Sequence, residues 1–392
     1  MVVAPAQRES DASPFRFDRA EMAGALGDLG VLVPIAVALI VKNGLTPTAV
    51  LLPAGLLYVV AGLIYRLPVP VQPLKAFGAI AIAHGFGADE IAAGALLMGM
   101  LFLALGASGL LDWVAKVFPH PIIRGIQLSV GLLFCQLAWK LVSATPKSFT
   151  DHRHSTWWLA GVTVVVIGVA LLLRRHQITL VFLAIALAAM VVAFHGSFGF
   201  GPSAVHIPHL SQHAFAAAAV ALVLPQVPLS FANSCLATAD TARTYFGDAA
   251  RRVRPGRLAT TIGVANLFAG SISGMPVCHG AGGMTAHRTF GARSGGAPIM
   301  LGSILIAIAL AMGATLTAAL AGFPVPILAG LLTVAGLLHI TLLKDLRGTW
   351  HWVMAIAVGV IGFLTNLAVA LVGALAIWWL VDRIRSRRAR HE

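Results

Sequence analysis

The sequence predicts an all-α polytopic membrane protein of about fourteen transmembrane segments, arranged as a seven-plus-seven inverted repeat with two half-helix segments. Three observations carry this. Hydrophobic residues make up 58% of the 392 residues and charged residues only 10%, with a mean hydropathy of +0.89. A soluble globular protein runs nearer half apolar and a quarter charged. Apolar runs near the ~20 residues needed to cross a bilayer as helix recur along the chain. Finally, two segments broken by Pro and Gly echo each other about half a chain apart.

Taken in order, residues 1–22 form a polar leader (Arg8, Glu9, Asp11, Arg16, Asp18, Arg19, Glu21). It lacks the short apolar stretch and small-residue cleavage site of a signal peptide. The expected spans of the first repeat, 23–195, are 23–41, 48–65, 67–84, 90–111, 119–139, 156–173 and 178–195. An outer linker, 196–213, leads to the second repeat, 214–382, with spans 214–236, 257–273, 275–290, 297–321, 324–343, 350–364 and 366–382. The last two are short enough to form one kinked hairpin. A basic tail, 383–392, follows.

The formal charge of +13 suggests nucleic acid only until the spans are drawn. With the N-terminus placed in the cytoplasm, all but five of the 27 Lys and Arg fall on the cytoplasmic side. The exceptions are Lys42, Lys140, Lys147 and Arg153 outside, and Lys75 within a span. This is the basic asymmetry of cytoplasmic loops, so no nucleic-acid partner is expected and both termini are expected inside. Cys135, Cys235 and Cys278 lack metal-like spacing. His206, His209 and His213 have loose ligand spacing but lie in the outer linker, and neither metal nor cofactor is expected.

The echo joins Ala61-Gly62 through Pro68-Val69-Pro70-Val71-Gln72-Pro73 to Ala269-Gly270 through Pro276-Val277-Cys278-His279-Gly280. An odd number of spans separates the copies, so they run in opposite senses. Paired, interrupted segments in inverted halves mark the midplane site of a transporter. Pro68, Pro70 and Pro73 block a continuous helix, as do Gly280, Gly282 and Gly283 around Ala281. Irregular backbone at membrane depth survives only inside protein or against a water-filled cavity. Each segment is therefore expected to run extended and then turn into a half-helix. Gln72 is the expected first N-cap, with Pro73 at N1; His279 or Gly280 starts the second. Two helix N-termini facing each other, each equivalent to about +0.5 charge, form an anion site.

Lys75 would sit at N3, where a cation opposes the dipole, and lysine inside a span costs about 2.5–3.5 kcal/mol on insertion scales. An anionic ligand would offset both penalties. The alternative is that Lys75 snorkels or pairs with Asp28, itself a partner, a proton carrier or an interfacial acid. Gln226 and Asn233, around Pro225 and Pro228, either bind the ligand or cross-link helices, and Asp240 with Arg243 reads as an interface pair. The run from His279 to Gly283 has the look of an oxyanion-hole loop. That chemistry needs a Gly-x-Ser-x-Gly elbow, which the sequence lacks, so an enzyme is not expected.

At these residues the chain resembles the molybdate transporter family, a branch related to the sulfate permeases. The matching stretches are Gly27-Asp28-Leu29-Gly30, Pro70-Val71-Gln72-Pro73-Leu74-Lys75, Leu224-Pro225-Gln226-Val227-Pro228-Leu229 with Asn233-Ser234, and Pro276-Val277-Cys278-His279-Gly280-Ala281-Gly282-Gly283 running on to Gly295. The resemblance implies the fourteen-span fold of the uracil permeases, in which a core domain carries substrate against a gate domain, and often a homodimer. It places the substrate near Gln72, Pro73, Leu74, Lys75, Cys278, His279, Gly280, Ala281, Gly282 and Gly283, with Asp28, Gln226 and Asn233 in support. The implied activity is secondary active import of a tetrahedral oxyanion, molybdate first and sulfate next, by alternating access across the bacterial inner membrane. Bringing a dianion in against a negative-inside potential costs about 2.3 kcal/mol per charge per 100 mV, so protons coupled through Asp28 or His279 are expected. A passive anion channel and a nucleobase permease of the same fold are the alternatives. His287-Arg288 departs from the family pattern, where uncharged residues are expected. The regulatory domain that ends many sulfate permeases is not expected after the basic tail.

Overall fold

A computed structural model describes residues 14–111, 118–147, 149–173 and 177–388, with side chains up to residue 384. Most of the leader, Lys116, Arg174, Arg175 and the end of the basic tail lie outside these residues. Each expected span coincides with a helix or with an extended stretch leading into one. Among the described residues, seven helices are long and apolar enough to cross a membrane, or eight if one bent pair counts as a single span. Thr156–Leu172, Ile178–Ala193 and Thr349–Leu364 are shorter apolar helices. The last two expected spans are separate helices, Thr349–Leu364 and Leu367–Arg388.

The first helix starts at Arg19, earlier than expected, because the Asp18 carboxylate accepts from the N–H groups of Ala20 and Glu21. Those bonds, the Glu21 N–H first, and then Arg16 hold the Asp18 carboxyl below its ordinary 3.8. A lowered folded pKa means that this cap is in force at neutral pH and is lost only as pH falls through the folded value. A 3-10 turn at Leu26–Asp28 interrupts the span before Leu29–Asn43 resumes it.

The two broken segments are built alike. Pro47–Tyr65 and Pro255–Ser271 each open with Pro at the first helical position, where its missing N–H has no intrahelical partner to lose. Each leads into a non-glycine residue in the left-handed region, Arg66 (φ 58°) and Ser273 (φ 49°). Each chain then runs extended into a two-residue strand, β1 (Gln72–Pro73) and β2 (Val277–Cys278). The strands pair antiparallel, Gln72 opposite Cys278 and Pro73 opposite Val277. Half-helices Lys75–His84 and Ala281–Thr289 follow.

Small residues let the long helices approach closely. Pro47–Tyr65 packs along Gly296–Ala311, and Ala88–Ser108 along Pro255–Ser271. A Cβ on Gly302 would lie 2.8 Å from the Cβ of Tyr58, and a Cβ on Gly131 or Gly336 would lie 2.6–2.7 Å from the other's carbonyl oxygen. Gly302→Val is therefore expected to overpack this crossing by about 1–3 kcal/mol. The check is a lower thermal unfolding midpoint for purified protein.

The expected span 297–321 is bent by 83° between Gly296–Ala311 and Gly313–Gly322. The linker 196–213 docks into the break. Gly201 N–H donates to the Ala311 carbonyl at 2.9 Å and Ala314 N–H to the Gly201 carbonyl at 3.2 Å. Thr48 Oγ1 donates to the Ala309 carbonyl at 2.8 Å, space that a side chain on residue 313 would fill.

Candidate functional site

The strand pair sets the site. Leu74 N–H donates to the Pro276 carbonyl at 3.1 Å, so the first broken segment stays extended two residues longer than expected. The N-cap is Leu74, and Lys75 occupies the first helical position. This corrects the expectation of Gln72 as N-cap and Lys75 at N3: strand pairing outweighs the preference of Pro73 for N1. The second half-helix begins with Gly280 as N-cap, one of the two expected starts.

The backbone behind the strands is held by buried side chains. Asn266 bonds both edges of Val277: its amide donates to the Val277 carbonyl at 2.7 Å and its carbonyl accepts from Val277 N–H at 2.8 Å. His279 Nδ1 donates to the Pro70 carbonyl at 2.9 Å, while Nε2 lies 3.0 Å from Thr261 Oγ1, which meets Tyr65 Oη at 2.7 Å. His287 Nδ1 donates to the Pro68 carbonyl at 3.1 Å. Both histidines are fully buried, and each ties the second broken segment to a proline carbonyl of the first. The side chain of His279 thus faces away from the cavity. His287, unexpected from the family pattern, has the same tying role, and Arg288 stacks on Tyr245 at 4.4 Å.

A cavity of about 730 Å³ lies in front of the half-helix starts, with Asp28, Gln72, Lys75, Asn233, Ala281 and Gly282 on its wall. A small recess beside it is lined by Lys75, Gln127, Gln226, Asn233, Cys278 and His339. First-turn N–H groups of a helix have no intrahelical acceptor. Gln226 takes one of them, accepting from Phe77 N–H at 3.0 Å while donating to Ser230 at 2.9 Å. Gln226 is therefore a buried cap that cross-links helices. Asn233 is half-buried and lies in a π-helical turn, Ser230–Ala237, just after Pro228. Such turns widen a helix and recur at functional sites.

Gln72 is buried and donates to Asp28 Oδ2 at 2.5 Å, and among the described residues Gln72 Oε1 has no hydrogen-bond partner. Among the described residues Lys75 makes neither a hydrogen bond nor a close ion pair, so the direct contact of Asp28 is with Gln72, while the Lys75 charge acts on Asp28 from a longer distance. Gly283 makes this contact possible. A Cβ there would strike Asp28 Oδ2 and lie 2.8 Å from both Gln72 Nε2 and Pro70 Cβ. Of the expected residues, Asp28, Gln72, Lys75, Asn233, Ala281 and Gly282 meet at the main cavity and Cys278 at the recess. Pro73, Leu74, Gly280 and Gly283 shape the backbone behind.

The cavity is lined at the starts of the helices that begin at Leu29, His120 and Ile178, and at the ends of those that finish at Leu172, Thr289 and Thr341. Its wall also carries Arg124, which the sequence marks only as one of the basic residues outside the spans' cores. In the linker 196–213, His206 lies 3.4 Å from Asp89, whose carboxylate also accepts from the His209 backbone N–H at 3.0 Å. Asp240 and Arg243 form only a weak exposed pair at 3.9 Å.

Two broken segments meeting over a cavity, within a multi-pass helical protein, are the architecture of a membrane transporter. The chain belongs to the molybdate transporter family: the family model described as "Molybdate transporter of MFS superfamily" matches residues 20–134 and 218–338. It is 31% identical to Molybdate transporter 1 of Arabidopsis thaliana over 366 residues, which cover 82% of this chain and 79% of the relative. Its fold is similar to that of the transmembrane domain of a cyanobacterium bicarbonate transporter, BicA. That match has TM-score 0.64 and 18% identity, and covers 91% of this chain and 98% of the other. It is also similar to the murine Solute Carrier 26 family member A9 anion transporter in the inward-facing state. There the TM-score is 0.68 with 15% identity, covering 96% of this chain and 70% of the other. These relatives are transporters by name rather than enzymes, and anion transport is the activity they support.

Proposed function

We propose that this chain imports a tetrahedral oxyanion, molybdate ahead of sulfate, by alternating access, and that the anion sits between the two half-helix N-termini against Lys75. The observation that carries this reading is the Lys75 ammonium, without a hydrogen bond among the described residues, on the same cavity wall as Ala281 and Gly282. Free N–H groups and an ammonium with its donors unused together suit a dianion. Asn233 supplies a neutral hydrogen-bonding group, and Asp28, held by Gln72, is the coupling acid that carries a proton. His279 is scaffold in this scheme.

The proposed architecture is fourteen crossings in two inverted sevens, 23–195 and 214–382, with both termini cytoplasmic in the bacterial inner membrane. Packing supports the pairing of each span with the one seven later. The second span packs on the eleventh and the fourth on the ninth; the fifth packs on the thirteenth and the sixth on the twelfth. Each contact maps onto the other under that exchange. The cavity then opens to the cytoplasm, the release-ready state of an importer. A homodimer remains part of the proposal.

The test is uptake of labelled molybdate by cells without their own transporters. Saturable uptake, resisted by excess molybdate more than by sulfate and weakened when the proton gradient is collapsed, is expected. Asp28→Asn should remove the dependence on the gradient. Large unsaturated anion currents would instead assign a channel.

A further inference from the structure

Arg124 lies on the wall of the same cavity as Lys75, yet on a helix, His120–Ser143, that belongs to neither broken segment. Its side chain is only 17% exposed. A guanidinium has five N–H donors. Asp345 accepts from Nε, at 2.8 and 3.1 Å to its two oxygens, and from Nη2, while Gln127 Oε1 accepts from Nη1 at 2.8 Å. That leaves one N–H on each terminal nitrogen without an acceptor among the described residues. Two spare N–H groups on one planar guanidinium can donate to the oxygens of an oxyanion.

Its counter-ion is placed to let go. Asp345 is 47% exposed and does not line the cavity; it is also approached by His120 at 3.5 Å. Gln127 follows Arg124 by three residues, about 4.5 Å along the helix axis, and lines both the cavity and the recess shared with Lys75. Arg124, Gln127 and Lys75 thus line one cavity, with Arg124 about one turn nearer the start of its helix than Gln127.

We infer that Arg124 is a second anion station, taking a tetrahedral oxyanion released from the half-helix site and handing it to solvent, with Asp345 as its displaceable counter-ion. This rests on the oxyanion-carrier reading above. An anion arriving at the fork competes with Asp345 rather than with a buried partner, so the station holds the ligand weakly, as an exit step requires.

The experiment is molybdate transport and equilibrium binding by the full chain in liposomes, with size-exclusion profiles confirming intact protein. Arg124→Gln should raise KM about tenfold, the loss of one charge-assisted hydrogen-bonding group, and Arg124→Lys should recover part of it. Asp345→Asn, which frees the fork, should lower KM. If Arg124 and Asp345 form only a structural clasp, both variants lose transport together, and the inference is overturned. Unchanged KM in Arg124→Gln overturns it as well. Lys75→Ala is run alongside: molybdate binding that survives there at the parent's affinity sinks the half-helix site itself, whichever way the Arg124 variants behave, whereas the Arg124 station alone leaves only weak binding.

Discussion

Replacing Lys75 with Ala is expected to abolish molybdate uptake while leaving a protein that inserts, folds and resists heat at least as well as the parent. The two effects have opposite signs for one reason. The ammonium is half-buried and makes no hydrogen bond or close ion pair among the described residues; a lysine at membrane depth costs about 2.5–3.5 kcal/mol. Alanine removes that cost. Truncating one member of a buried charge pair typically loses about 2–5 kcal/mol of binding, so affinity should fall at least about thirtyfold. A ligand that binds only the folded state stabilises it by about 2.7 kcal/mol at one hundred times its Kd. Molybdate should therefore raise the melting temperature of the parent and leave that of Lys75→Ala unmoved. Molybdate-dependent stabilisation of the variant would remove Lys75 from the site.

Gly283→Ala is the second large effect. The added methyl would collide with Asp28 Oδ2 and crowd Gln72 and Pro70. Pro70 cannot retreat easily, because His279 holds its carbonyl and His287 holds that of Pro68. The Asp28–Gln72 bond must give way instead, at an overpacking cost of about 1–3 kcal/mol. Transport should fall at least about tenfold, with a lower melting temperature. A Cβ at Gly282, one residue away, meets nothing within 4 Å, so Gly282→Ala should keep the parent's melting temperature. Equal destabilisation by the two would show that helix propensity, rather than contact with Asp28, governs this turn.

The sequence makes both broken segments legible because their prolines and glycines forbid a continuous helix at a depth where irregular backbone must be sheltered. The pairing of the two segments was also readable, from the matching Ala-Gly and Pro-Val steps. What it does not carry is which way each residue of an extended stretch points. Side chains alternate there, so Cys278 reaches the recess while His279, its neighbour, turns back to Pro70 and Thr261. Nor does it give the strand register, and without the Leu74 bond to Pro276 the first half-helix is placed two residues too early. Asn266 was readable only as one more polar residue in a span, since its role depends on β2 lying beside it. Arg124 was hidden for a related reason: a basic residue at a span's start looks like a loop charge until the packing of its helix brings it onto the cavity wall.

The arrangement places the ligand where two helix starts and one ammonium converge. A cryo-electron microscopy map of the full chain with molybdate tests this directly, since the heavy metal centre scatters far above its surroundings. The account predicts a compact peak in contact with the first-turn N–H groups of Ala281 and Gly282 and with Lys75 Nζ. A peak elsewhere in the cavity, with that position empty at saturating molybdate, would contradict it.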